Sequence, residues 1–166
     1  MRYFSEYDSP VGRLLLLSDG EALTGLWMDM AVPDDALAGE EVPVLRKTGE
    51  WLDGYFRGEA PDMDIPLAAE GTDFQKKVWT ILLAIPFGQT RTYGDIAKEM
   101  ACLLEKKTMS AQAVGGAVGR NPISILIPCH RCVGAKGQLT GYAGGLERKA
   151  WLLRHEDWKG RKNDGK

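Results

Sequence analysis

Residues 121–131, which read NPISILIPCHR, set the strongest limit on how this chain folds. Ile123, Ile125, Leu126 and Ile127 run apolar and largely β-branched into Pro128, the pattern of a strand that a proline closes. Cys129, His130 and Arg131 follow at the element end, where a substrate can reach them. A cysteine commonly packs as a small buried hydrophobe. Beside an imidazole and a guanidinium it becomes a candidate for a depressed thiol pKa, because nearby positive charge favours the thiolate. The thiolate is the form in which cysteine attacks near neutral pH.

A chain of 166 residues fits one domain or two small ones. Its net charge of −2 hides an uneven split. Residues 1–70 hold 5 Lys+Arg against 15 Asp+Glu, a net of −10, and residues 71–166 hold 16 against 8, a net of +8. We therefore divide the chain into an acidic support domain with a linker over 1–70 and a basic working domain over 71–166. A basic half is the electrostatic footprint expected for a polyanion such as DNA. No apolar run approaches the roughly 18 residues of a membrane span. The first residues alternate polar and apolar and lack a signal-peptide core. The expected location is the cytoplasm, where three cysteines do not make a disulfide framework. Three Cys and two His are also too few and too scattered for a zinc site, so neither metal nor cofactor is expected.

Residues 2–8, 12–18 and 22–29 read as antiparallel strands, with Asp19-Gly20 as a hairpin turn and a run of four leucines from Leu14 to Leu17. Residues 31–43 are acidic, hold Pro, Gly and Asp, and read as loop. Leu45, Thr48, Leu52, Tyr55 and Phe56 fall near helical spacing within 44–56, and 62–71 reads as an extended linker. Thr72 can cap a helix over 73–84, whose apolar face is Phe74, Val78, Trp79, Ile81 and Leu82. Thr92 can cap a second helix that runs from Tyr93 to about residue 101, with Asp95 reaching back. A connection over 102–107 leads to a third helix over 110–118, almost all small residues. Two helices joined by a turn suggest a helix-turn-helix, although this connection exceeds the usual three or four residues. Residues 133–139 read as a hairpin with a glycine-containing loop, 141–145 as a flexible rim, and 147–156 as a last helix with Trp151, Leu152 and Leu153 in the core. The fold class is α/β of the α+β kind: an antiparallel sheet with one helix, then a mainly helical domain.

Four further stretches go with the cysteine motif. They are Arg91-Thr92-Tyr93-Gly94-Asp95-Ile96-Ala97, Ala113-Val114-Gly115-Gly116-Ala117, Gly141-Tyr142-Ala143-Gly144-Gly145 and Trp151-Leu152-Leu153-Arg154-His155-Glu156. Together they resemble the O6-alkylguanine-DNA alkyltransferases, also called methylated-DNA–protein-cysteine methyltransferases. The resemblance is close over residues 71–156 and loose before them. It implies DNA repair by direct transfer of an alkyl group from O6-alkylguanine, and from O4-alkylthymine, to Cys129. Such an enzyme turns over once and inactivates itself. In the implied site His130 takes the thiol proton, directly or through one water, and Glu156 orients it from the family's Leu-Leu-x-x-Glu pattern. Asn121 ties the turn before the motif. Tyr93 crowds a DNA phosphate and donates to the extruded base, which must leave the stack because the alkylated oxygen faces into it.

Tyr142, Ala143, Gly144 and Gly145, with Ile127 and Pro128, are implied to line the pocket for base and alkyl group. The second helix of the motif is implied to enter the minor groove, with Ser110, Gln112, Ala113, Gly115 and Arg120 at the DNA beside Tyr93 and Arg131. A groove with a degenerate hydrogen-bond pattern suits a scanner of damage at any sequence. For Arg131 a structural salt bridge or hydrogen bond is preferred over a catalytic role, and His155, the competing imidazole, is given a surface or packing role. The implied partner is double-stranded DNA carrying alkylated bases, met by a monomer, without a membrane. Three places depart from commoner members. Gln112 stands where many carry an intercalating Arg, Ala143 where many carry a Ser, and the connection around residues 102–107 is longer.

Other chemistries use the same residues. Cys129 and Cys132 form a Cys-x-x-Cys pair, the motif of thiol–disulfide oxidoreductases, but that motif normally opens a helix and here Val133-Gly134 follows. A DNA-damage sensor that binds without reacting, and a cysteine hydrolase, are the remaining alternatives.

Overall fold

The computed structural model describes residues 1–142 and 144–163, with side chains as far as Asp157. The chain divides into two compact units.

Unit 1 comprises Met1–Glu70 and Pro122–Ser124. Its sheet has the order β3-β2-β1-β4. β1 (Arg2–Ser9) and β2 (Gly12–Ser18) form a tight antiparallel hairpin in which Ser9 faces Gly12. β3 (Leu23–Met28) returns antiparallel on the other side of β2 after the Asp19-Gly20 turn, where Gly20 takes φ 103°. β2 is thus a central strand. Its Leu14, Leu15, Leu16 and Leu17 alternate between the two faces and are none of them more than 5% exposed. The stretch read as loop holds one more strand, β4 (Ala36–Ala38), which pairs parallel to β1 and makes the sheet mixed. Three residues are too few to show alternation, and the pairing comes from backbone groups, such as Gly39 N–H to the Phe4 carbonyl at 2.9 Å.

α1 (Pro43–Phe56) starts on a proline, whose missing N–H is no loss in the first turn, and buries Leu45, Thr48, Leu52 and Tyr55. It stops at Gly58, whose φ of 92° favours glycine. The linker is not free chain. Leu23 N–H donates to the Pro66 carbonyl and Ala68 N–H to the Leu23 carbonyl, both at 2.8 Å.

Unit 2 comprises Gly71–Asn121 and the chain from Ile125 onward. α2 (Asp73–Leu83) opens on a reciprocal capping box between Thr72 and Gln75, and α3 (Tyr93–Leu103) on one between Thr92 and Asp95. α4 (Ala111–Gly119) is capped by Ser110, whose hydroxyl accepts from the N–H groups of Gln112 and Ala113. α3 and α4 pack on each other and on α2. The Trp79 Nε1–H donates to the Ala117 carbonyl at 2.9 Å. α5 (Leu146–Asn163) closes the unit and buries Lys149, Leu152 and Glu156. Among the described residues no helix is long and apolar enough to cross a membrane.

The strand expected over the motif does not form. Ile123 makes a single bridge to Leu26, and the chain turns at once through Ser124, Ile125 and Leu126. Ile125 sits at φ 71°, the left-handed region that a β-branched side chain resists. Pro122 and Pro128 bound the turn and offer no N–H for a ladder.

Candidate active site

Two short strands place the cysteine. β5 (Arg91–Thr92) lies immediately before α3, and β6 (Cys132–Val133) immediately after a 3-10 turn over Cys129–Arg131. They pair parallel, Arg91 with Cys132 and Thr92 with Val133. This brings Tyr93, the first residue of α3, into the neighbourhood of the Cys129 turn.

The core of the site is a buried ion cluster. His130 Nε2 lies 2.5 Å from Oε2 of Glu156. Arg131 donates from Nε to Oε1 of Glu156 at 2.7 Å, from Nη2 to Oε2 at 3.2 Å, and from Nη1 to the Ile85 carbonyl at 2.7 Å. The Gly88 N–H adds a bond to Oε1 at 3.2 Å. His130 is 0% and Glu156 1% exposed. Burial raises the Glu156 carboxyl, but the hydrogen bond from His130, then the hydrogen bonds and charge of Arg131, outweigh it and hold the group down to about 2. Burial lowers the His130 pKa against the pull of Glu156. We assign a neutral imidazole with its proton on Nε2, donated to Glu156. Nδ1 is then a lone-pair acceptor. It is buried and has no hydrogen-bond partner among the described residues, a state that typically costs about 1–3 kcal/mol.

Cys129 is 4% exposed. Its depressed pKa, expected from its neighbours, is not found: burial pushes the thiol up, and a hydrogen bond from Asn121 and the charge of Lys149 only partly offset it. The reason is in the cluster. Arg131 is engaged with Glu156 and His130 is neutral, so sequence adjacency delivers no free positive charge to the sulfur. Asn121 also donates from Nδ2 to the Ile127 carbonyl at 2.9 Å and so holds the turn closed. Cys132 is buried, its thiol raised to about 12 by burial, and Cys102 is exposed; all three cysteines are free. The Cys-x-x-Cys pair lies on a 3-10 turn and β6, with no α-helix behind it.

An open groove of about 590 Å³ is lined by Tyr93, Gln112, Gly115, Gly119, Thr140 and Tyr142, among others. A Cβ at Gly115 would stand 3.8 Å from the Tyr93 ring, an ordinary van der Waals contact, so α4 and Tyr93 lie side by side there with room for a small side chain. Ser110, Gln112, Ala113 and Arg120 are exposed on α4 or at its ends. Ile127 and Pro128 are buried behind Cys129, Gly144 is half-buried and Gly145 exposed. Ala143 lies outside the described residues. Arg131 does not reach the surface where DNA was expected. It is 8% exposed, its guanidinium is held by Glu156 and Ile85, and it packs on the Phe87 ring 5.8 Å away. His155 stacks on Trp151 with ring centroids 5.0 Å apart.

Sequence reasoning missed Lys149. Its side chain is fully buried, and Nζ donates to the carbonyls of Cys132 at 2.6 Å, Thr140 at 2.9 Å and Gly141 at 3.4 Å. The ammonium also sits 5.8 Å from the centroid of the Tyr93 ring, and the Tyr93 hydroxyl donates to the same Thr140 carbonyl at 3.0 Å. A signal existed: Lys149, Leu152 and Glu156 share one stripe at helical spacing, and a lysine on a core stripe calls for partners.

Two family models cover the chain: 6-O-methylguanine DNA methyltransferase, ribonuclease-like domain, over residues 2–69, and 6-O-methylguanine DNA methyltransferase, DNA binding domain, over residues 73–158. A methylated-DNA–protein-cysteine methyltransferase of Methanosarcina acetivorans is 44% identical over 159 residues, spanning 93% of this chain and 97% of that relative. One of Haemophilus influenzae is 44% identical over 158 residues, 93% of this chain and 86% of its own. A crystal structure of Mycobacterium tuberculosis OGT in complex with DNA superposes with a TM-score of 0.84 at 40% identity, covering 95% of this chain and 94% of that one.

Proposed function

We infer the function from one premise: this chain belongs to the 6-O-methylguanine DNA methyltransferase family. It is a methylated-DNA–protein-cysteine methyltransferase, which binds DNA and repairs it by direct transfer of an alkyl group to the protein. We propose that Cys129 is the acceptor, that the substrate is O6-alkylguanine and also O4-alkylthymine in duplex DNA, and that each monomer reacts once, in the cytoplasm.

The bare Nδ1 of buried His130 is the observation that carries this reading. In the proposed mechanism the Cys129 thiol gives its proton to Nδ1, directly or through one water. The imidazolium that forms is stabilised by Glu156, ionised in advance by Arg131. The thiolate sulfur attacks the alkyl carbon, an S–C bond forms, and the C–O bond to the base breaks. The electron pair goes to the base oxygen, the base takes a proton from the Tyr93 hydroxyl that lines the groove, and the proton held on His130 is released to make good the one Tyr93 gave. Atoms and charge balance: a thiol and an alkylated base become a thioether and a normal base. No step returns the thioether to a thiol, so the protein is consumed. A thiol raised by burial is also unreactive until the proton acceptor beside it is used.

α4 is the element proposed to enter the minor groove, with Gln112 occupying the space of the extruded base and bonding its orphaned partner. The test is intact-mass analysis after incubation with duplex DNA carrying one O6-methylguanine. One added methyl group, mapped to Cys129, is expected. Several repaired lesions per protein molecule, or an adduct on another residue, defeats the proposal.

A further inference from the structure

A second groove, also about 590 Å³, opens beside the first, between α3 and the start of α4. Its lining includes Lys98, Lys106 and Lys107 and no carboxylate. All three lysines are exposed, and no salt bridge among the described residues takes up any of them. Glu105 heads the connection and is exposed, while two other nearby acids are engaged elsewhere. Asp95 is bonded into the Thr92 capping box, with Lys98 one turn on, and Glu99 is paired with Arg91.

The connection that carries Lys106 and Lys107 has a defined shape. α3 ends with the Glu105 N–H bonded to the Cys102 carbonyl and the Lys106 N–H bonded to the Ala101 carbonyl at 2.9 Å. That is a Schellman closure, and it requires a left-handed residue at its centre. Glu105 fills that position at φ 55°, where glycine is the usual occupant. A strained residue kept in a surface connection fixes the direction in which the two following lysines leave the helix. Ala111 lines both grooves, and Tyr93 and Gly94 line one each, so the two are continuous along α4.

We propose that this lysine-lined groove is a second DNA contact, in which Lys98, Lys106 and Lys107 each neutralise one backbone phosphate of the duplex that α4 engages. The inference rests on the reading of α4 as the DNA-binding helix. It commits to DNA because the groove continues the base-facing one, and because a duplex laid there brings a charge about every 1.7 Å along its axis. These contacts hold any sequence and serve to position the protein.

The test is the salt dependence of binding to a duplex without a lesion, measured for the wild type, for Lys106→Gln with Lys107→Gln, for Lys98→Gln, and for Arg46→Gln with Lys47→Gln as a charge-matched control on α1. Plotted as log K against log[salt], the slope should flatten by about 0.9 per lost contact. That is roughly 1.8 for the Lys106/Lys107 pair and 0.9 for Lys98→Gln, with no change for the control. A slope unchanged in the Lys106/Lys107 variant, or flattened equally in the control, overturns the inference. The wild-type mass assay separates the two failures. If Cys129 is alkylated by DNA and the slopes do not move, only this second contact falls, and the lysines are left to an acidic protein surface.

Discussion

Residues 14–17 and 123–127 are both apolar runs, buried to the same degree, and only the first is a strand. Leu14 to Leu17 have a strand on either side, so their backbone faces a ladder partner on both flanks. Residues 123–127 have one bridge at Ile123, a proline at each boundary, and Ile125 in a left-handed conformation. Such a conformation costs about 1–2 kcal/mol. Apolar content decides that a segment is buried. The distribution of N–H donors, and one amide side chain at Asn121, decides what shape it takes. The first run turns burial into stability. The second holds a conformation that stability alone would not select, and delivers Cys129 to the end of it.

Four substitutions break or sharpen that contrast. Cys129→Ser has the largest expected effect: transfer is lost completely, because an alcohol is far less nucleophilic than a thiolate, while DNA affinity and melting temperature stay near those of the wild type. Mass spectrometry, binding and calorimetry together check it, and a measurable adduct in the variant would place the acceptor elsewhere. Leu16→Ala does the opposite. It should cost about 2–5 kcal/mol of stability, read by urea unfolding, and leave the transfer rate of the folded fraction unchanged. A slowed rate at full folding would mean that the two runs are not separable.

Glu156→Gln tests the cluster through pH. Because the carboxyl is held near 2 in the fold and titrates at an ordinary value near 4.5 when unfolded, its contribution is fully present above pH 4.5 and is lost as pH falls toward 2. The wild type should therefore lose roughly 3 kcal/mol over that window that the variant does not lose. Transfer at pH 7 should also slow, since the imidazolium loses its counter-charge. Parallel acid-unfolding curves would show that Glu156 is not ionised in the fold. Asn121→Ala is the mildest. Losing the bond to the Ile127 carbonyl should cost about 1–3 kcal/mol and slow transfer, because a hydrogen bond that offsets the burial of the thiol goes with it. Unchanged stability would mean that the prolines alone shape the turn.

Local signals were legible where a side chain acts on its own backbone. Thr72, and Thr92 with Asp95, could be read as caps because what they bond lies within one turn, while the reciprocal bond of Gln75 to Thr72 was not read. Ser110, read as the first residue of the third helix, is the cap just before it. β4 was missed because its only organisation is pairing with a strand more than thirty residues away. Cys129, His130, Asn121 and Glu156 do come together, but the sign of the thiol shift was misread. Adjacency in sequence says nothing of which partner a charge has chosen, and Arg131 chose Glu156. Lys149 was passed over because its three acceptors are backbone carbonyls, which any sequence possesses.

The Thr140 carbonyl oxygen receives both the Tyr93 hydroxyl and the Lys149 ammonium, and Lys149 at the same time grips the carbonyl of Cys132. Two unlike donors thus converge on one atom of the groove's edge. The two tethers are unlike: one is neutral and can be given up to another acceptor, and the other is charged and the stronger of the two. A base that took the Tyr93 hydroxyl would leave Lys149 still holding the Thr140, Gly141 and Cys132 carbonyls, so the groove's edge keeps its tie to β6 while the tyrosine is free to donate.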